Sequence, residues 1–233
     1  MGKRQESRQR IETQILELAR RQLVTQGAAG LSVRAIARDL GMVSSAVYRY
    51  VASRDELLTL LLVDTYSELA DHVEQARRRA EAGWRTDVTA IAGAMRRWAL
   101  DQPACWALLY GSPVPGYHAP AELTGGPGTR VVRALFDAVA TGVSTGAIRL
   151  TNTPVAQLLS ADLTRLRDEF EFPGDDALTL RCTVAWSIVV GAVSLEVFGQ
   201  YGADTFSDPG AVFDEQVRIL LDVLAGAGPA GPN

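Results

Sequence analysis

The 233-residue chain, 47% hydrophobic and 21% charged, is long enough to bury a full core as one or two domains. It has no run of about 18 apolar residues and no basic-then-apolar start, which excludes a spanning segment and a signal peptide and makes the cytoplasm the expected compartment. The net charge of −4 is unevenly spread: residues 1–54 hold ten Lys/Arg against four acids, a net +6, leaving −10 for the rest. Cys105 and Cys182, alone and far apart, read as small buried hydrophobes in a reducing compartment.

Residues 1–8 are polar and expected to fray. A first helix is predicted from Gln9 to Gln26, with Ile11, Ile15, Leu18, Ala19 and Leu23 as its apolar stripe and Gly27 as its end. Ser32 is placed to cap a second helix, whose Val33, Ile36, Ala37 and Leu40 share one face. Gly41 follows at a position that calls for positive φ, a conformation cheap only for glycine. A further short helix is predicted from Ser44 to Tyr50, burying Val47 and Val51 and leaving Ser44, Ser45, Tyr48 and Arg49 outward. Two short helices around a glycine turn have the size and punctuation of a helix-turn-helix.

Ser53 and Glu56 form a Ser-x-x-Glu capping box for a long helix that runs to about Ala82. Arg77, Arg78 and Arg79 at its end suit the helix dipole. Thr86 is expected to cap a helix to Gln102, and Pro103 to start a short one to Tyr110. Gly111–Gly128, rich in Pro and Gly, is expected to be a loop. Helices are predicted over Thr129–Ser144, over Pro154–Phe170 with Thr153 as cap, over Asp175–Gln200, and over Pro209–Ala225 capped by Asp208. Residues 227–233 are expected to be a disordered tail. No segment has a strand period, so the fold class is all-α.

Between Cys182 and Phe198 only Ser187, Ser194 and Glu196 are polar. A helix so nearly apolar all round is central or covered by a second copy. With Val212, Val217, Leu220, Leu221 and Leu224 on the last helix, a four-helix bundle across a two-fold axis is the expected burial, with Gly191, Ala192 and Gly199 allowing close approach.

Ser32-Val33-Arg34, Ile36-Ala37, Gly41, Tyr48, Tyr50, Ser53, Arg54 and Leu57-Leu58 together resemble the DNA-binding head of the TetR repressor family. The chain departs from that pattern at Val43, Ala46, Val51 and Arg54, where Ser or Thr, Thr, Phe and Lys are frequent. More weakly, Trp186, Gly191, Leu195-Glu196 and Phe198-Gly199 resemble a TetR subgroup named for a Trp-His-Gly signature, with Val190 in the place of the His. The resemblance implies a three-helix head over residues 1–54 and a helical effector-binding and dimerisation domain over 55–226. The implied protein is a homodimeric repressor on a palindromic operator, released by a small, largely apolar effector and joined through its last two helices.

On that pattern Ser44 and Ser45 begin the recognition helix, and Arg49 is the candidate for reading guanine through its planar fork. Tyr48 and Tyr50 are expected at the DNA backbone or a thymine methyl and Arg34 and Arg54 at phosphates, with Ser32, the cap, also counted among the DNA-binding residues. Met95, Trp98, Trp106, Tyr110, Phe136, Phe170 and Trp186 are candidates to line an effector pocket or to fill the core.

Catalysis has little to stand on. His72 and His118 have no Cys or acid at metal-ligand spacing, and no G-x-S-x-G, H-E-x-x-H or phosphate-cradling loop occurs. Asp168-Glu169 and Asp175-Asp176 read as helix-end charges. No cofactor, metal site or catalytic residue is expected. Two alternatives remain open at this stage: a helical ligand-binding protein whose head does not bind DNA, and a cofactor-free enzyme using an apolar pocket.

Overall fold

In the computed structural model of the chain, which describes residues 3–151 and 153–226, helix α1 (Lys3–Gln26) begins six residues before its apolar stripe demands. The expected frayed segment is thus helical from Lys3. The expected tail at 227–233 lies outside the described residues. A 3-10 turn at Ala28–Gly30 leads to α2 (Val33–Asp39), α3 (Ser44–Val47) and α4 (Arg54–Arg79). There follow α5 (Trp84–Asp101), α6 (Pro103–Tyr110), α7 (Ala121–Ser144), α8 (Gln157–Phe170), α9 (Asp176–Val197) and α10 (Pro209–Ala225). All regular structure among the described residues is helical.

The chain forms two compact units. Among the described residues, the first contains those of 1–68 and 102–128, the second those of 69–101 and 129–233. In the first, Ile15, Leu18, Ala19 and Leu23 of α1 are buried with Ile36 and Ala37 of α2, Val47, Val51, and Leu57, Leu58 and Leu61 of α4. α1 packs on α2 and on α6, whose Cys105 and Trp106 are also buried. In the second, α9 packs on α10, α8 and α5, and Leu178, Cys182, Ala185 and Val193 of α9 join Leu220 and Leu224 of α10 in the core.

Several predicted boundaries move, each for a local reason. The Pro/Gly stretch is a loop only to Pro120, because α7 starts at Ala121 and carries Gly125, Gly126, Pro127 and Gly128 within it. The Pro120 carbonyl accepts from the amides of Leu123 and Thr124 and from the Thr124 hydroxyl, so the first turn is anchored before the glycines arrive. The amphipathic run beyond Gly128, with Val131, Leu135, Phe136, Ala138 and Val139 buried, then carries a helix that local propensity would have broken.

α5 starts at Trp84, two residues before the predicted cap, and the Thr86 hydroxyl donates back to the carbonyls of Gly83 and Glu81. α8 starts at Gln157. Thr153 does not cap it, and its hydroxyl donates instead to the Thr151 hydroxyl at 2.9 Å. α9 stops at Val197 because Gly199 turns left-handed at φ 66°, which lets Gln200 N–H reach the Leu195 carbonyl at 2.8 Å. Gly199 therefore serves as the helix stop. The caps of α9 and α10 are as predicted: Asp175 accepts from Leu178 N–H and Asp208 from Ala211 N–H.

One bulk expectation also changes. α9 is long and apolar enough to cross a membrane by length and composition, because its Ser and Thr residues are diluted by Val, Ala, Ile and Leu. It caps at Asp175 and packs on three other helices, and its uncovered positions are Leu180, Val184, Ser187 and Leu195.

Candidate nucleic-acid interface

The turn between α2 and α3 is built by hydrogen bonds that side chain identity fixes. Ser32 Oγ accepts from Ala35 N–H, and the Ser32 N–H is itself held by buried Gln22 of α1, 2.9 Å from its Oε1. This caps α2 and docks its start on α1 at once. At the other end Gly41 takes φ 67°, Gly41 N–H bonds the Arg38 carbonyl at 3.0 Å and Met42 N–H the Ala37 carbonyl at 2.9 Å. The paired bonds satisfy carbonyls that a helix end leaves open and aim the chain into α3.

α3 is shorter than expected. Only Ser44–Val47 is α-helical, and the chain then tightens into turns, with Arg49 N–H on the Ala46 carbonyl and Tyr50 N–H on the Val47 carbonyl. Its N-cap is Val43, extended and without an oxygen to accept from the first amides, so the helix lacks a side-chain cap. Buried Val47 and Val51 pin the segment to the core. That pinning turns Ser45, Tyr48 and Arg49 outward, while Ser44 and Tyr50 are half-buried.

The other predicted positions divide by what they touch. Arg34 and Arg49 are exposed and, among the described residues, neither has an acid or carbonyl partner. Arg54, half-buried at the start of α4, donates Nη2 to the carbonyls of Ala28 and Ala29. Ser53 Oγ accepts from Glu56 N–H at 3.0 Å as the capping box predicts, but the Glu56 carboxylate reaches the N–H of Ala52 and not that of Ser53. Arg20, which sequence reasoning passed over, is half-buried on α1 and clamps Asp64 and Glu68 of α4 with Nε and Nη2. Its cue was an arginine beside the apolar stripe with two acids four residues apart on a later helix. Gln22 had no comparable cue.

The seven aromatic and soft residues are divided between the two units. Trp106 and Tyr110 lie in the first unit with ring centroids 4.4 Å apart, and burial pushes the Tyr110 phenol above its ordinary range. Met95, Trp98, Phe136, Phe170 and Trp186 lie in the second unit. There Phe136 stacks on Phe170 at 4.8 Å and meets Phe172 edge-on at 4.9 Å. Met95, Trp98, Trp106, Phe136 and Phe170 are buried, and Tyr110 and Trp186 half-buried. A separate open cleft of about 550 Å³ in the second unit is lined by other residues, among them Val155, Leu159, Leu180, Arg181 and Val184.

Residues 15–61 match the family model described as bacterial regulatory proteins, tetR family, and residues 88–220 the one described as tetracyclin repressor-like, C-terminal domain. The chain is 63% identical over 226 residues to the HTH-type transcriptional regulators Mb1846 of Mycobacterium bovis and Rv1816 of Mycobacterium tuberculosis, covering 97% of each chain in both comparisons. It is similar to the crystal structure of regulatory protein SCO4313 at a TM-score of 0.77 and 32% identity, over 94% of this chain and 99% of that one. FadR of Bacillus subtilis, solved with stearoyl-CoA, shares the fold at a TM-score of 0.63 and 12% identity, over 91% of this chain and 98% of that one.

Proposed function

We propose that this chain, which belongs to the TetR family of bacterial transcriptional regulators and carries that family's helix-turn-helix DNA-binding domain, acts as a homodimeric repressor released from its operator by a small effector. The observation that carries the reading is the pinning of α3. Val47 and Val51 are buried, while Ser45, Tyr48 and Arg49 are presented outward from a cationic N-terminal segment. Arg49 reads a base edge, Ser44 and Ser45 approach the groove at the helix start, and Tyr48 and Tyr50 meet sugar, phosphate or a thymine methyl. Ser32, Arg34 and Arg54 hold phosphates. DNA reading falls to residues 1–54, and effector binding and dimerisation to 55–226.

The dimer reading draws on α9. Leu180, Val184, Gly191, Leu195 and the capping Phe198 recur at helical spacing, and Leu180, Val184, Leu195 and Phe198 are exposed, as is Ile219 of α10. A Cβ built on Gly191 would meet nothing within 4 Å, so nothing within the chain requires glycine there. A second copy of α9 crossing at that point would. Two recognition helices then sit about 34–36 Å apart, in successive major grooves of a palindromic site.

The effector is largely apolar and enters among Met95, Trp98, Phe136, Phe170 and Trp186, or beside Trp106 and Tyr110. Binding favours a state in which α4 is tilted and the two heads no longer match the half-site spacing. Operator affinity measured with and without saturating effector tests the release step. A loss of tenfold or more supports it, and equal affinities with a compound bound among those residues contradict it.

A further inference from the structure

The first turns of α1 are helical without a packing reason. Residues 5–10 are all exposed, and the buried face of the helix begins only at Ile15. Residues 5–10, being exposed, gain little from the core, and their side chains can serve another surface. The sequence there is strongly basic, with Arg8 and Arg10 among the described side chains.

Arg8 has a defined seat. Its guanidinium carbon lies 5.8 Å from the centroid of the Tyr50 ring, within cation–π range, and Tyr50 is the residue on which the recognition segment ends. Nε donates to Glu12 at 2.7 Å, an exposed contact one helical turn along α1. An arginine has five N–H donors, so the four on Nη1 and Nη2 remain for a partner outside the chain. A planar fork held from behind by a carboxylate and from below by a ring suits an oxyanion pair.

We propose that this overhang is a second DNA-binding edge, in which Arg8, seated on Tyr50, and Arg10 hold backbone phosphates beyond the base pairs inspected by α3. The inference rests on the DNA-binding reading above. It adds that each half-site is gripped over a longer stretch than the helix-turn-helix alone covers. Because the contacts are to phosphates, they lengthen the footprint and steepen the salt dependence without altering which sequence is preferred.

The test uses the full chain and a duplex enriched by it from a randomised pool. Affinity is measured across roughly 50 to 300 mM KCl for the wild type, Arg8→Gln, Arg10→Gln, and Arg165→Gln as a charge-matched control on α8. Each of the first two variants should flatten the log–log salt slope by about 0.9, and Arg165→Gln should leave it unchanged. The ranking of base-substituted duplexes should stay as in the wild type, and Arg8→Gln should lose phosphate protection at the outer ends of the footprint. Wild-type slopes and footprints in Arg8→Gln and Arg10→Gln would overturn the inference, as would an equal flattening by Arg165→Gln. Failure of the wild type to enrich any duplex would instead overturn the DNA-binding reading, and this inference with it.

Discussion

Arg54 Nη2 stands 3.0 Å from the carbonyl oxygens of both Ala28 and Ala29, so the first residue of α4 is tied to the turn that ends α1. A residue expected from the sequence to grip phosphate therefore also holds the head together. Both roles are compatible, because Nη1 lies 3.9 Å from the Asp55 carboxylate and is only loosely engaged.

The double role gives a separable prediction. Arg54→Ala should lower stability by about 1–2 kcal/mol, since two bonds from a charged donor, one to the half-buried Ala28 carbonyl and one to the exposed Ala29 carbonyl, are lost. It should also weaken every duplex alike. Arg54→Lys keeps the charge, but its side chain is one bond shorter than the reach to Nη2, which serves both carbonyls, so the salt slope should survive while part of the stability goes. Urea midpoints and salt titrations read the two effects independently. Unchanged stability in Arg54→Ala would show that the carbonyl bonds contribute nothing net.

Arg49 separates reading from gripping. Arg49→Ala should cost about 1–3 kcal/mol on the preferred duplex and compress the affinity range among base-substituted ones. The check is a competition series over every substitution in one half-site. A uniform loss with discrimination intact would move Arg49 from base edge to phosphate.

Much of the fold was legible because punctuation and period agree in this sequence. Ser32, Gly41, Asp175 and Asp208 each sit where a helix end leaves backbone groups open, and each supplies the expected cap or left-handed turn. Two kinds of position misled. Gly125, Gly126, Pro127 and Gly128 are poor helix formers, yet they lie between an anchored first turn and a strongly amphipathic run, and the neighbours prevail. Thr153 and Pro154 look like a helix start, but α8 begins three residues beyond Pro154 at an uncapped Ala156–Gln157 junction. In the candidate site, the outward face of α3 followed from the burial of Val47 and Val51. The Arg20 clamp and the Gln22 bond did not, because both pair residues far apart in sequence through a fold no local pattern specifies.

The α9 surface yields a test of self-association. Gly191→Leu places a large side chain where the protomer offers open space, so the single chain should fold with a normal thermal midpoint. It should, however, sediment as a monomer at concentrations where the wild type is a dimer. A dimeric Gly191→Leu protein would exclude a close helix crossing at this residue.

Both cysteines are buried, and burial pushes the Cys182 thiol up to about 12 and raises Cys105 as well. A thiol raised above its ordinary value of 9.0 contributes stability that is fully present below that value and is lost as pH climbs toward 12. Near neutral pH both should stay protonated and unreactive. A thiol-disulfide dye at about pH 8 should label neither in the folded protein and both in denaturant. Rapid labelling of one thiol under native conditions would contradict its burial.

The most direct measurement is selection of duplex DNA by the purified chain from a randomised pool at low ionic strength, followed by titration of the enriched sequence with its binding stoichiometry. The account predicts enrichment of an inverted repeat, bound by two chains, with half-site centres about one helical turn apart and an affinity that falls steeply with salt. A pool that emerges without any shared sequence, or a duplex bound by one chain alone, would contradict it.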